Sequence, residues 1–204
     1  MTRRDARSAM TARSVAKFVA AMTTAVLLHG CASSPPTHYV TLNSVPAEAP
    51  AREGPVQPVQ LTALHIPAEL DRPEMVTQSA PNQFAVSETE RWAAPLAQLM
   101  RLTLARDLQT RLPDGAFVWP DLPAPKGTRA LVVAVTDIRL PAQGEMTLDA
   151  TWTLVARSPD RVEFVQHATL RTAMTGAGPS AKAAAMSRAL GELADRIAGS
   201  VSAH

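Results

Sequence analysis

Three long runs of alternating side chains in the second half of the chain constrain its fold more than any other feature. They cover residues 129–140, 145–157 and 161–174. Compact turn sequences separate them, which favours tight connections between antiparallel neighbours. One face of the second run is apolar and comprises Met146, Leu148, Ala150, Trp152 and Leu154. The pattern therefore predicts an antiparallel meander with one face on a core.

Two apolar stripes with helical spacing accompany these runs. The first recurs every four residues and comprises Trp92, Leu96, Met100, Leu104, Leu108 and Leu112. The second comprises Met186, Leu190, Leu193, Ile197 and Val201. Each predicts an amphipathic helix. Ser87 followed by Glu90 resembles a capping box, and Pro95 favours a later start, near Arg91. Pro179 suits the first turn of the second helix.

Shorter β-prone runs complete the pattern. They lie at residues 39–42, 59–66, 75–77, 84–86 and 117–119. Two helices and seven or eight strands predict an α+β fold. We expect a single domain, in which two long amphipathic helices pack on one face of a mostly antiparallel β-sheet.

The N-terminus has the three parts of a bacterial lipoprotein signal. Five basic residues precede an uncharged stretch, residues 18–28, and Cys31 closes the segment. Leu28, Gly30 and Cys31 fit the pattern for cleavage before a cysteine that is then acylated, whereas His29 is larger and more polar than usual. An ordinary secretory peptide and a cytosolic chain with a disordered basic start remain alternatives.

Cleavage at this point would divide the chain into three parts. We expect a signal peptide at 1–30, a lipidated Cys31 with a Pro- and Ala-rich tether at 31–58 that includes a short first strand, and an α+β domain at 59–204. The chain has 20 basic and 18 acidic residues, of which five and one lie in 1–30. The mature net charge is therefore −2, and the basic isoelectric point does not indicate nucleic-acid binding.

The residues that could carry catalysis are sparse. His65 and His167 have no partner at metal-ligand spacing, and Cys31 is the only cysteine. No GxSxG elbow occurs. The stretch 176–181 matches a loose GxGxxA, but no second strand follows and Pro179 removes an amide donor, so a turn before a helix is the favoured interpretation. We predict no metal, no cofactor and no enzymatic activity.

Several segments, taken in order, resemble the PqiC-type auxiliary lipoproteins of ABC transport systems. The lipobox at Cys31 and the strand at 39–42 come first. The stretch 66–76, which contains a Leu-x-Arg-Pro sequence, follows. Arg-Trp-Ala-Ala-Pro-Leu at 91–96 then opens the first long helix, where Ala94 replaces the family's usual acidic residue.

The resemblance implies a function by contact. Members of this family are outer-membrane lipoproteins that accompany mammalian-cell-entry (MCE) domain proteins and ABC transporter or permease components in lipid transport between membranes, and some look to form rings. We therefore expect a lipid-anchored, periplasm-facing subunit held in the outer membrane by palmitate-type acylation of Cys31, and homo-oligomerisation. The residues expected to make partner or structural contacts are Leu70, Asp71, Arg72, Pro73, Arg91, Trp92 and Pro95.

Two other classes of function remain open. A stand-alone periplasmic lipoprotein could bind a small hydrophobic ligand in an apolar groove formed by a helix face or a strand edge. A cell-wall hydrolase would need convergent polar side chains in a pocket.

Overall fold

Eight strands form two separate sheets in the computed structural model, which describes residues 35–47, 56–80, 82–157 and 160–203. The three-stranded sheet has the order β1-β4-β3, and the five-stranded sheet has the order β5-β2-β6-β7-β8. The strands are β1 (His38–Val40), β2 (Val59–His65), β3 (Glu74–Ala80), β4 (Gln83–Trp92), β5 (Phe117–Val118), β6 (Arg129–Arg139), β7 (Glu145–Arg157) and β8 (Asp160–Ala173). From Thr37 onward the chain forms one compact unit.

The predicted meander is confirmed and consists of β6, β7 and β8. Both strand pairs are antiparallel, and their bounds lie within one residue of the predicted runs. The apolar face of β7 is buried along its whole length, from Met146 to Leu154. Alternation therefore identified both the strands and the side that faces the core.

The expectation of one mostly antiparallel sheet is corrected. The fold is α+β, but both sheets are mixed: β1 runs parallel to β4, and β2 lies parallel between β5 and β6. Three of the six strand pairs formed by the described residues are thus parallel. The reason is topological. Along the chain, β3, β4 and the first helix lie between β2 and its sheet neighbours β5 and β6, and such a long connection can return the chain in the same direction.

The expected start of the first helix is also corrected. The first helix, α1 (Leu96–Arg111), begins after Pro95, whereas the capping-box residues Ser87 and Glu90 lie in β4. The Glu90 N–H does donate to Ser87 Oγ at 2.9 Å, but this bond closes an irregularity in the strand. A local hydrogen-bonding sequence can serve a bulge as well as a helix end.

The two apolar stripes pack in the core. All six residues of the α1 stripe, from Trp92 to Leu112, are buried, and so are all five of the second helix, α2 (Pro179–Ala203). The helices contact each other, α1 also contacts β2, and α2 contacts β7 and β8. The Trp152 indole N–H donates to Ser200 Oγ at 3.0 Å and joins β7 to α2. Placement of both helices on a single sheet face stays a prediction.

Candidate functional site

The predicted contact residues come from two segments, 70–73 and 91–95, and the structure brings these segments together at the start of α1. We call these residues, with Glu74, the helix-start cluster. Two backbone N–H groups of the second segment and of the helix that follows it donate to the first: the Trp92 N–H donates to the carbonyl oxygen of Pro73 at 2.7 Å, and the N–H of Ala97, in the first turn of α1, donates to Asp71 Oδ1 at 3.1 Å. The members of the cluster are Leu70, Asp71, Arg72, Pro73, Glu74, Arg91, Trp92 and Pro95.

Leu70 and Trp92 are the apolar part of the helix-start cluster. Both side chains are buried, at 7% and 3% exposure. With Val76, Leu96 and residues of the core they line an apolar cavity of about 10 Å³, which is about the space that one water molecule needs. Their role is therefore to fill the core beneath the start of α1.

Asp71 caps α1 from a distance of 26 residues in the sequence. Pro95 occupies the N-cap position, and no side chain there accepts a cap hydrogen bond. Asp71 supplies the missing acceptor for the Ala97 amide and places a carboxylate near the positive end of the helix dipole. Asp71, the variable residue of the Leu-x-Arg-Pro sequence, is thus the one that stabilises the start of α1.

Arg72, Glu74 and Arg91 form the charged part of the cluster. Arg72 Nε lies 3.0 Å from Glu74 Oε2, and Arg91 Nη2 lies 3.6 Å from Glu74 Oε1. The hydrogen bond from Arg72 holds the pKa of Glu74 below its ordinary value. The arginine side chains are 44% and 38% exposed, so these pairs contribute little to folding.

Strand β1 ends at the same place. Its residues Tyr39 and Val40 lie opposite Arg91 and Trp92, and the Ala93 N–H donates to the Val40 carbonyl oxygen at 2.8 Å. Because Glu74 is also paired with Arg91 across the sheet, Tyr39, Arg91 and Glu74 form one row. The N-terminal part of the body and the helix-start cluster are therefore a single structural unit.

A second polar assembly holds the chain after β1. Residues 42–47, which we call the strap, run as irregular backbone across α1 and α2. The Asn43 N–H donates to Ser187 Oγ at 3.0 Å, and both Ser44 Oγ and the Val45 N–H donate to Asp107 Oδ1, at 2.6 and 2.7 Å. Gly191 permits this close approach, because a Cβ there would lie 3.0 Å from the Val45 Cβ.

Arg111 joins the strap to both helices. Its guanidinium forms a two-pronged contact with Asp195, with Nε 2.6 Å from Oδ1 and Nη2 3.3 Å from Oδ2. Its Nη1 donates to the Val45 carbonyl oxygen at 2.8 Å. The Asp107 side chain is fully buried, and within the described part of the chain its Oδ2 has no hydrogen-bond partner. Burial raises the pKa of Asp107 against the opposing effect of its hydrogen bonds and of Arg111.

The strap assembly was not predicted from the sequence. Asp107 and Arg111 are an acid–base pair four residues apart beside an apolar stripe, and this spacing is the one signal that the sequence offers. Such pairs usually lie on the solvent side of a helix. The partner that buries them, a coil more than 60 residues earlier, leaves no pattern of its own.

The other candidate residues lie apart from both assemblies. His65 and His167 are exposed side chains of β2 and β8. Gly176 and Gly178 have positive φ angles of 111° and 92° in the turn before α2. Cys31 lies outside the described residues. Within the described ranges, no group of three or more His, Cys, Asp or Glu side chains could hold a metal ion, and no helix is long and apolar enough to cross a membrane.

Between the strap and α2 lies an open groove of about 220 Å³. Apart from Val40 its lining consists of small or polar side chains; the lining residues are Val40, Thr41, Asn43, Ser180, Ala183 and Ala184. Pockets for small ligands usually measure about 300–1,000 Å³ and are mainly hydrophobic or aromatic. Neither the size nor the lining of this groove is typical of such a pocket.

Comparison with known proteins now adds the family. Residues 40–198 match the family model described as "ABC-type transport auxiliary lipoprotein component". The chain belongs to this family. The resemblance inferred from the motifs at 66–76 and 91–96 is thereby confirmed, and both motifs lie within the matched region. No curated protein matches the sequence.

Two solved structures share the family fold. An uncharacterized protein superposes with a TM-score of 0.66 at 20% identity, covering 82% of this chain and 100% of its own. Protein XCC0632 from Xanthomonas campestris, of the DUF330 family, superposes with a TM-score of 0.61 at 16% identity, covering 80% and 92%. At these identities the likeness concerns the fold alone.

Proposed function

We propose that this chain is a non-enzymatic, lipid-anchored auxiliary subunit of an ABC/MCE-type lipid transport system between membranes. In this proposal acylated Cys31 holds the protein in the outer membrane, facing the periplasm. The body docks the periplasm-spanning component at that membrane and associates with further copies of itself. The ABC transporter or permease components act at the other end of the system.

The family match over residues 40–198 is the observation that supports this proposal. A family of transport auxiliary lipoproteins needs an acylation site, and Cys31 stands nine residues before the matched region, behind a basic and apolar segment. A protein that acts through contact needs a stable body in place of a reactive centre. The strap assembly and the Asp71 cap stabilise such a body, because their carboxylates accept backbone N–H groups of distant segments.

We propose that the helix-start cluster serves mainly as a structural contact. Leu70 and Trp92 fill the core, Asp71 and Pro95 define the start of α1, and Pro73 accepts a strand hydrogen bond. The exposed members of the cluster are Asp71, Arg72, Pro73 and Pro95, and the side chain of Arg91 is 38% exposed.

Affinity purification from detergent-solubilised membranes tests the proposal. The full chain should recover an MCE-domain protein, and the Cys31→Ala variant should lose both fatty-acid incorporation and membrane association. Recovery of bound lipid without any protein partner would favour the stand-alone ligand-binding alternative. Fatty-acid incorporation that persists in Cys31→Ala would refute the anchor.

A further inference from the structure

Strand pairing and hydrogen bonds hold the N-terminal chain to the body between His38 and Ala47. Strand β1 pairs with β4 over its three residues, and the strap then binds α1 and α2 through backbone and side-chain hydrogen bonds. The only stretch between Cys31 and this bound segment is therefore residues 32–37. We call this stretch the leash.

The leash is short compared with the body. Seven residue steps separate Cys31 from His38, and at about 3.6 Å per residue they span at most about 25 Å. A compact unit of this size has a radius of gyration of about 15 Å, which corresponds to a diameter of about 40 Å, so the fully extended leash is shorter than the body is wide. An acylated Cys31 would thus keep the β1 end of the body within one leash length of the lipid surface.

The chemistry at the β1 end suits a membrane interface. Tyr39 is the only tyrosine of the chain, and its side chain is exposed at 66% on an edge strand. Tyrosine combines an apolar ring with a polar hydroxyl and is enriched at the headgroup level of bilayers. Beside it lie the accessible guanidinium of Arg91 and the carboxylate of Glu74, which match the phosphate and ammonium groups of zwitterionic lipids.

We propose that the β1 end of the domain lies against the bilayer, with Tyr39 in the headgroup region. This inference rests on the proposed acylation of Cys31. It assigns the accessible side of the helix-start cluster to lipid headgroups and leaves the rest of the surface for protein partners.

Single-cysteine labelling tests the orientation directly. In the acylated protein the thiol of Cys31 is consumed, so one introduced cysteine is the only free thiol in the chain. Tyr39→Cys is compared with Leu122→Cys and Val165→Cys, whose native side chains are similarly exposed, at 56% and 59%. Each full-length lipoprotein is labelled with an environment-sensitive fluorophore and inserted into vesicles of phosphatidylethanolamine and phosphatidylglycerol that contain a nitroxide-headgroup lipid.

The expected result is several-fold stronger quenching at position 39 than at either control position. Thr37→Cys, at an exposed position just before β1, provides a second probe if Tyr39→Cys perturbs the strand. Equal quenching at all positions, or stronger quenching at 122 or 165, overturns the orientation.

Vesicle flotation and fatty-acid labelling of the same samples separate the two proposals. Protein that floats with the vesicles but is not preferentially quenched at 39 retains the anchor and refutes the orientation. Protein that is neither acylated nor associated with vesicles refutes the anchor, and the orientation falls with it.

Discussion

The helix-start cluster and the strap assembly both bind a distant segment of chain to α1, yet they differ in solvent exposure. In the helix-start cluster Arg72 and Arg91 are 44% and 38% exposed. In the strap assembly Arg111 is 4% exposed and Asp107 is fully buried. The first assembly belongs to motifs that are conspicuous in the sequence, whereas the second belongs to none.

This difference teaches that a recognisable motif and a strong interaction need not coincide. Exposed ion pairs contribute about 0–1 kcal/mol, because water already solvates both partners. Removing one member of a buried pair costs about 3–5 kcal/mol, since the other is left without solvent or partner. The strap should therefore determine stability, while the exposed arginines remain available for contact.

The largest expected effect is that of Arg111→Ala. This change leaves the buried carbonyl oxygens of Val45 and Asp107 without their donor and removes the cation 4.0 Å from the Asp107 carboxylate, whereas Asp195 is 60% exposed and regains water. We expect the free energy of unfolding to fall by about 3 kcal/mol. Denaturant unfolding measures it. Arg196→Ala is the matched control, because Arg196 pairs with Glu192 on the exposed side of α2 and should cost at most about 0.5 kcal/mol. Equal losses for the two variants would abolish the contrast between the assemblies.

Asp107→Ala should cost about 2 kcal/mol, because it leaves the Ser44 hydroxyl and the Val45 amide without an acceptor. Asp107→Asn keeps an oxygen at this position and should cost clearly less. Hydrogen exchange at the Val45 amide should accelerate in the alanine variant and change little in the asparagine variant. If both variants lose the same stability, the hydrogen bonds to the strap are not what Asp107 contributes.

The stability of the strap should also depend on pH. The pKa of Asp107 is raised in the folded protein, so between its unfolded value near 3.8 and the folded value the native state binds more protons. The contribution of Asp107 to stability should therefore increase as pH falls through the folded pKa. Comparing the wild type with Asp107→Asn at pH 7 and at about pH 4.5 isolates this effect. A stability difference that does not change with pH would contradict it.

Asp71→Ala tests the long-range cap and should cost about 1 kcal/mol, because the Ala97 amide loses its acceptor. Asp71→Asn, which retains a cap oxygen, should recover most of the loss. Thermal unfolding of both variants decides the matter. A larger loss for asparagine than for alanine would argue against a capping role.

Arg91→Ala should have the smallest effect on stability, below about 1 kcal/mol, because its contact with Glu74 is exposed and 3.6 Å long. Its effect should instead be seen at the membrane, as weaker quenching of a label at position 39. A large loss of stability with unchanged quenching would make Arg91 a structural residue only.

Much of the fold was accessible from periodicity. The meander, both helical stripes and the buried face of β7 followed from spacing alone, because regular elements repeat their contacts at a fixed period. The start of α1 was misplaced, since the Ser87–Glu90 hydrogen bond forms equally well in a strand irregularity. The parallel pairing of β1 with β4 and of β2 with β6 was not predicted, because the sequence of a short strand carries no information on its direction in a sheet.

The sequence by itself determined the family and the regular elements, because both depend on local order along the chain. Only the tertiary structure decided that Asp71 caps α1, that the sheets are mixed and that 42–47 cross both helices. These features join residues far apart in the chain, and one buried carboxylate such as Asp107 acquires its role only from the groups that folding places around it.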